Sequence, residues 1–357
     1  MERQFAKKDS LTAKGLAILL LLFYHLFYEE HVITELQVNY APISRDIFLM
    51  GAGFGNICVA IFVMITAYGI TKSILCVPEM NLSTAYEQAY GRFLRLMGGF
   101  VWLYISAVVI WFGKFDLQSL YGKGKQGVIL LLCDGMGIAQ VIGSPTLNET
   151  WWYMALAYAF IFLIPVLAFC VKKTGIVLLP AVFFLPMMIT LNSDMGRYLF
   201  VAVFGVCAAY GNWFEKVLNL RLHAVWKWGI GLVGFVLCVL IRQNAVVKDY
   251  LADYVDAPIA FFLICFAVML PGSIPGVRQC LSFIGKHSMN IYLVHTFFYL
   301  ILYRNFVYGF RHAGIIFVIL LLVSLAYSVG LEMVKELFRK GWRWICTYKI
   351  ENSKKSS

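Results

Sequence analysis

A neutral imidazole can take a proton from a hydroxyl, and paired guanidinium groups can grip phosphate, so histidines and arginines are the first residues of this chain that could do chemistry. His25 lies eleven residues after Lys14. In a helix that spacing places it about 16 Å deeper and within about 20° of the same face, so one stripe runs from a cation to an imidazole. The stripe lies in an apolar run, where an ionisable side chain is costly unless it faces the interior of a bundle. His25 is therefore a candidate general base; the competing reading is a histidine bonded to a neighbouring helix, with Lys14 serving only to orient the chain.

Arg92 and Arg95, in A-Y-G-R-F-L-R-L-M, stand at i and i+3 and can cradle phosphates with forked hydrogen bonds. A basic rim at a membrane boundary explains them equally. Ser288 and His295, in I-G-K-H-S-M-N-I-Y-L-V-H, are seven apart and share a helical face to within about 20°. A second deep histidine supports a site, and a helix contact through its ring nitrogens is the plainer alternative. Thr66 offers its hydroxyl to a ligand or to its own helix backbone. Trp151, Trp152 and Tyr153 read either as an interfacial aromatic belt or as a platform on which a sugar stacks.

The elements that must position these groups follow from composition. Of 357 residues 61% are hydrophobic and 14% charged, and the mean hydropathy is +0.78, which excludes a water-soluble globular enzyme and also disorder. Ten runs approach the length needed to cross about 30 Å of hydrocarbon: 13–28, 47–71, 93–112, 151–171, 175–191, 197–212, 225–241, 256–271, 286–303 and 313–335. With the N-terminus inside, 21 of the 30 Lys and Arg residues fall on one side, the bias that orients membrane proteins. The expected fold is all-α: a polytopic membrane helix bundle of about ten transmembrane helices, N-in and C-in, over residues 1–340, with a basic cytoplasmic tail at 341–357 whose end, from Asn352, reads as frayed. Topology and contact with anionic membrane lipid account for the net charge of +11, and nucleic acid is not needed. The longest polar stretch, 113–150, holds an apolar run, Val128 to Cys133, too short to span and suited to a re-entrant or surface helix. The nine cysteines never form C-x-x-C and read as apolar packing residues. P-loop, H-E-x-x-H and G-x-S-x-G patterns are missing, so no metal is expected.

Five segments in order carry a family resemblance: K-G-L-A-I-L-L-L-L-F-Y-H at 14–25, F-V-M-I-T-A-Y at 62–68, R-F-L-R at 92–95, W-W-Y-M followed by Pro165, and I-G-K-H-S-M-N-I-Y-L-V-H at 284–295. Together they resemble the integral-membrane acyltransferase 3 family, whose members move acyl groups, usually acetyl, onto carbohydrate. Lys14 holds that family's arginine position, Thr66 and Ala67 stand for its serine and glycine, and Ala157 and Tyr158 stand where many members carry acidic residues.

The resemblance implies a membrane O-acyltransferase that takes an acyl group from acetyl-CoA or another acyl-CoA to a hydroxyl of an envelope or exported glycan. In that reading Lys14, Arg92 and Arg95 meet the coenzyme A phosphates at a cytoplasmic mouth of the cell membrane, and His25 acts as base or acyl carrier. His295, Ser288 and Thr66 orient the imidazole or stabilise the oxyanion, and Trp151, Trp152 and Tyr153 meet the acceptor. His25, His295 and Arg95 are then expected to converge on one cavity. The alternative is a secondary transporter or flippase for a glycan precursor or organic anion, in which the same groups are substrate and proton sites; a non-catalytic scaffold is a third reading.

Overall fold

A computed structural model describes residues 3–28, 36–77, 81–111, 113–188 and 193–355, and among these it is helical without strands. Helix α1 (Lys7–Phe27) is followed by α2 (Arg45–Phe54), which passes through a tight turn into α3 (Cys58–Leu75), and by α4 (Leu82–Ile110). Three short helices, α5 (Leu117–Tyr121), α6 (Gly124–Gly135) and α7 (Ala139–Ile142), lead to α8 (Trp152–Thr174) and α9 (Leu178–Met188). Then come α10 (Ser193–Gly211), α11 (Trp213–Leu218), α12 (Ala224–Gln243), α13 (Ala252–Met269), α14 (Pro275–Thr296), α15 (Arg304–Tyr308) and α16 (Ala313–Lys355).

Among the described residues, seven helical stretches are long and apolar enough to cross a membrane: Lys7–Phe27, Arg45–Leu75, Leu82–Ile110, Glu149–Leu185, Ala224–Gln243, Ala252–Ser273 and Ala313–Gly341. The expected spans at 151–171 and 175–191 fall largely in one of these stretches, with a break after Thr174 where Gly175 takes a positive φ of 62°. The expected spans at 197–212 and 286–303 form helices but are not among the seven. The second of them, α14, carries Arg278, Lys286, His287 and Asn290 along its length. Val128 to Cys133 lies in α6, whose Val128, Ile129 and Leu132 are exposed, a short helix with an uncovered apolar face. The last helix runs without a break past residue 340 to Lys355, where a tail fraying from Asn352 was expected; residues 356–357 lie outside the described residues.

The apolar surface divides the helices into two shells. The Ala252–Ser273 stretch is 61% buried, while Ala224–Gln243 is 11% buried and shows Val233, Val236, Leu237 and Leu240 outward. In water such a surface would be a liability; in lipid it is the expected finish of a peripheral helix.

At the centre, α1 and α14 run parallel. Asp9 accepts from Arg278 at 2.7 Å at one end, and His25 meets His295 at the other. Between them the backbones touch: a Cβ on Gly15 would lie 2.0 Å from the Leu281 carbonyl oxygen, and one on Gly285 would lie 1.9 Å from that of Leu11. Glycine is required because the contact leaves no room for a methyl group. Since lipid gives helices no hydrophobic drive to associate, close backbone approach of this kind is what holds such a pair. Gly55 approaches Leu20 of α1 in the same way.

Ionic ties fix the rest. Asp9, almost fully buried, also accepts from Arg3 at 3.0 Å, tying the chain before α1 to α14. Arg242 forks onto Asp256 at 2.7 and 2.9 Å, joining α12 to α13. Glu215 on α11 accepts from the Tyr68 hydroxyl at 2.5 Å and pairs with Lys72 at 3.1 Å, locking α3 to α11. Burial works against ionisation of Glu215, but bonds from Tyr68, from its own backbone and from Lys72 together hold its carboxyl below the ordinary range.

Two outcomes are expected. Gly285→Val should lower the apparent Tm in detergent by roughly 5 °C or more through overpacking. Gly330→Ala, which meets open space, should not. A carboxyl held low in the fold adds stability above its unfolded value and loses it as pH falls through the folded one. The drop in Tm on acidification below pH 4.5 should accordingly be smaller in Glu215→Gln than in the parent chain.

Candidate active site

His25 and His295 are neighbours. Each lies ten residues beyond its helix's contact glycine, so the parallel packing of α1 and α14 at Gly15 and Gly285 brings the rings level, with centroids 4.9 Å apart at an angle of 63°. His295 has no solvent exposure; its Nδ1 lies 2.7 Å from the Tyr292 carbonyl oxygen, and Nε2 has no hydrogen-bond partner. A carbonyl only accepts, so Nδ1 carries the proton of the neutral ring and the lone pair is on Nε2. His25 is partly exposed, and its Nδ1 lies 3.3 Å from the Tyr299 hydroxyl.

Lys14, Thr66 and Ser288 also come together. They line a cavity of about 180 Å³ with Phe62, Tyr153 and Tyr292. Arg92 is within electrostatic reach of Lys14, and Arg95 of Arg92, so three like charges crowd one region. Arg92 donates to the Ser73 hydroxyl at 2.8 Å. Three residues along from Arg92 on α4 and about 60° around the helix, Arg95 is exposed and turns to a wider groove of about 990 Å³ shared with Trp102, Glu332, Lys335 and Arg339.

The expectation of a single cavity holding His25, His295 and Arg95 is therefore corrected. Tyr153 and Tyr292, whose rings are 4.9 Å apart, line the Lys14 cavity while neither histidine does, and the Tyr292 ring lies 6.1 Å from that of His295. His25 lines another cavity, of about 560 Å³, at the 113–150 end of the bundle, and the two share no lining residue. Two separate cavities thus lie along α1, one lined by Lys14 and the other by His25.

The aromatic trio does not form one stacking platform. Trp151 is buried among Phe100, Tyr104 and Phe297, and its indole N–H donates to the Leu293 carbonyl at 2.8 Å, so both its faces and its polar edge are used inside the protein. Trp152 is partly buried, with its ring 6.2 Å from that of Tyr153, and Tyr153 faces the Lys14 cavity.

Two residues absent from the sequence reading belong here. Tyr299 stands four residues after His295, with its ring 5.7 Å away and nearly parallel. That i+4 spacing was a usable signal, although the residue sits in a π-helical turn, Phe297–Ile301. Asn148 donates to Thr296 Oγ1 at 2.5 Å and joins the start of α8 to the end of α14, and no periodicity points to it. In the tautomer whose Nδ1–H donates to the Tyr299 oxygen, Nε2 of His25 keeps the lone pair a base needs; the reverse direction would place the proton on Nε2, so Tyr299 is the candidate positioning residue for this ring. Tyr299→Phe keeps the ring and removes the bond; turnover should fall about tenfold with Tm and substrate affinity little changed, as read by steady-state kinetics beside thermal unfolding.

Comparison with known proteins gives the family. A model of the acyltransferase domain matches residues 12–333, a span that contains both histidines, the three cations, both hydroxyls and the aromatic trio. No curated protein and no solved structure gives a match. A helical bundle with lipid-compatible flanks, built around a histidine pair and matched over nearly its whole length, belongs to this acyltransferase family: the chain is a membrane enzyme that transfers acyl groups other than amino-acyl groups.

Proposed function

We propose that the enzyme takes an acyl group, acetyl above all, from acyl-CoA on the cytoplasmic side of the cell membrane and delivers it to a hydroxyl of an envelope or exported glycan. The observation that carries this reading is the His25 and His295 pair with a crowd of cations on one side of it. Like charges are held together most readily when an anion joins them, and coenzyme A brings several phosphate charges. Lys14 and Arg92 supply them a cationic mouth. Thr66 and Ser288 add hydroxyl donors to the small apolar cavity beside Lys14, from which the acyl thioester would have to pass Tyr153 and Tyr292 to reach His25.

In the step itself, Nε2 of His25 removes the proton of the acceptor hydroxyl and the oxygen attacks the thioester carbonyl. The C–O bond forms, the carbonyl electrons move onto oxygen, and their return breaks the C–S bond. Coenzyme A leaves as thiolate and takes the proton from the imidazolium, which restores the base. If His25 instead carries the acyl group, the same bonds exchange in two steps through an acyl-imidazole.

In a ten-span, N-in and C-in arrangement α1 and α14 are the first and ninth spans and enter the membrane from the same side, which their parallel run allows. Arg339, Lys340 and Arg343 then lie at the cytoplasmic lipid surface.

The test is release of free coenzyme A thiol by the protein in nanodiscs, with acyl-CoA and extracted envelope glycan. His25→Ala should lower the rate by at least about a hundredfold. Near-normal release in that variant defeats the mechanism, and uptake of glycan or anion into proteoliposomes without thiol release identifies a transporter instead.

A further inference from the structure

Between α4 and α16 lies a groove of about 990 Å³ that neither histidine lines. The two helices meet where Ser106 Oγ and the Tyr327 hydroxyl lie 2.6 Å apart, and again where the Trp102 and Phe338 rings lie 4.9 Å apart. Arg95 lines the groove on the α4 side, and Lys335, Arg339 and Arg343 line it on the α16 side. One carboxylate, Glu332, stands among these four cations, and it is already used: it accepts from Lys335 at 2.9 Å and from the Asn290 amide at 3.1 Å. Arg339 pairs with Glu336 at 2.8 Å, and Arg95 has no hydrogen bond or ion pair among the described residues. The groove therefore carries positive charge that the protein does not neutralise.

The order of groups along α4 says what kind of anion suits it. Arg95, Trp102 and Val109 follow one another at intervals of seven residues, so they share one stripe to within about 40° and step about 10 Å each time, from a guanidinium to an indole to an aliphatic side chain. The stripe is open: a Cβ on Gly99 would meet nothing within 4 Å, Val109 is exposed, and the Trp102 indole N–H has no partner among the described residues. Along α16 the same order recurs. Arg343 and Arg339 are exposed toward its end, and Phe338, Leu337, Val334 and Met333 before them show apolar surface. A soluble phosphate compound needs the cations alone. A phospholipid needs all three levels in this order, cations at its phosphate, an N–H at its ester carbonyls and apolar side chains along its tails.

We infer that the groove between α4 and α16 is a binding site for an anionic phospholipid, with Arg95, Arg339 and Arg343 around its phosphate, the Trp102 N–H beside its ester carbonyls, and its tails along Phe338 and Val109. The site stands independently of the acyl-transfer reading. It also reaches the centre of the bundle: Lys335 and Glu332 in the groove connect through Asn290 to α14, so a lipid held there braces the helix that carries Ser288 and His295.

The experiment purifies the full chain in detergent micelles holding phosphatidylglycerol and phosphatidylcholine in equal amounts, and counts the lipids it keeps by native mass spectrometry. Thermal unfolding is followed in parallel as either lipid, or coenzyme A, is added. The parent chain should keep phosphatidylglycerol in preference to phosphatidylcholine and gain Tm from the first but not the second. Arg339→Gln with Arg343→Gln should lower the retained phosphatidylglycerol at least about fivefold and remove its thermal shift; both side chains are exposed, so folding is spared. Lys7→Gln with Lys8→Gln, which removes two exposed cations outside the groove, should change neither. Equal retention of the two lipids by the parent overturns the inference, and so do equal losses in the two double variants. A coenzyme A shift that the parent shows and the Arg339 and Arg343 variant alone loses also overturns it, because the groove then holds a soluble phosphate ligand.

Discussion

The distance between α1 and α14 is set by two glycines, and the positions of both histidines follow from it. Where Gly15 meets Leu281 and Gly285 meets Leu11, the helices are as close as two backbones can come, and a parallel pair so joined stays in register for the next three turns. That register is what places one imidazole beside the other. A single added methyl group at the contact would be felt at the rings about 15 Å away, because neither helix can shift without carrying its histidine along.

Around this pair the protein uses polar groups sparingly and commits nearly all of them. His287 bonds Ser328 at 2.8 Å and Asn290 bonds Ser328 and Glu332, fastening α14 to α16 on the face turned from His25. Ser288 and His295 occupy the other face. One stretch of helix thus works as strut on one side and as site on the other, which is why so many polar residues are tolerated in a segment that is not apolar enough to count as a span by composition.

Much of this was legible in the sequence, and the part that was not has a physical cause. The helical period put Lys14 and His25 on one stripe, and Ser288 and His295 on another, and both helices do turn those stripes inward. Apolar run lengths located the long apolar helices, seven stretches among the described residues where ten spans were expected, because hydropathy alone sets that property. What periodicity cannot say is which helix faces which. Nothing in K-G-L-A or I-G-K-H announces that Gly15 and Gly285 serve one contact, and nothing in W-W-Y-M tells a buried tryptophan from a stacking one. Arg92 and Arg95 were read as a single clamp because i and i+3 are neighbours on a helix surface, yet about 60° of rotation sends the second into a different groove. Asn148 and Tyr299 lie in a loop and in a widened turn, where no simple repeat applies.

The closing helix has a mechanical meaning of its own. Forty-three residues of continuous α-helix extend about 65 Å, roughly twice the thickness of a bilayer's oily interior, so half of α16 stands clear of any membrane its first half crosses. Such a rod behaves as a mast, not a leash. Whatever is attached near Lys355 is held at a fixed standoff and heading, and a tilt of the bundle by a few degrees would sweep that tip through several ångströms of the surrounding solvent.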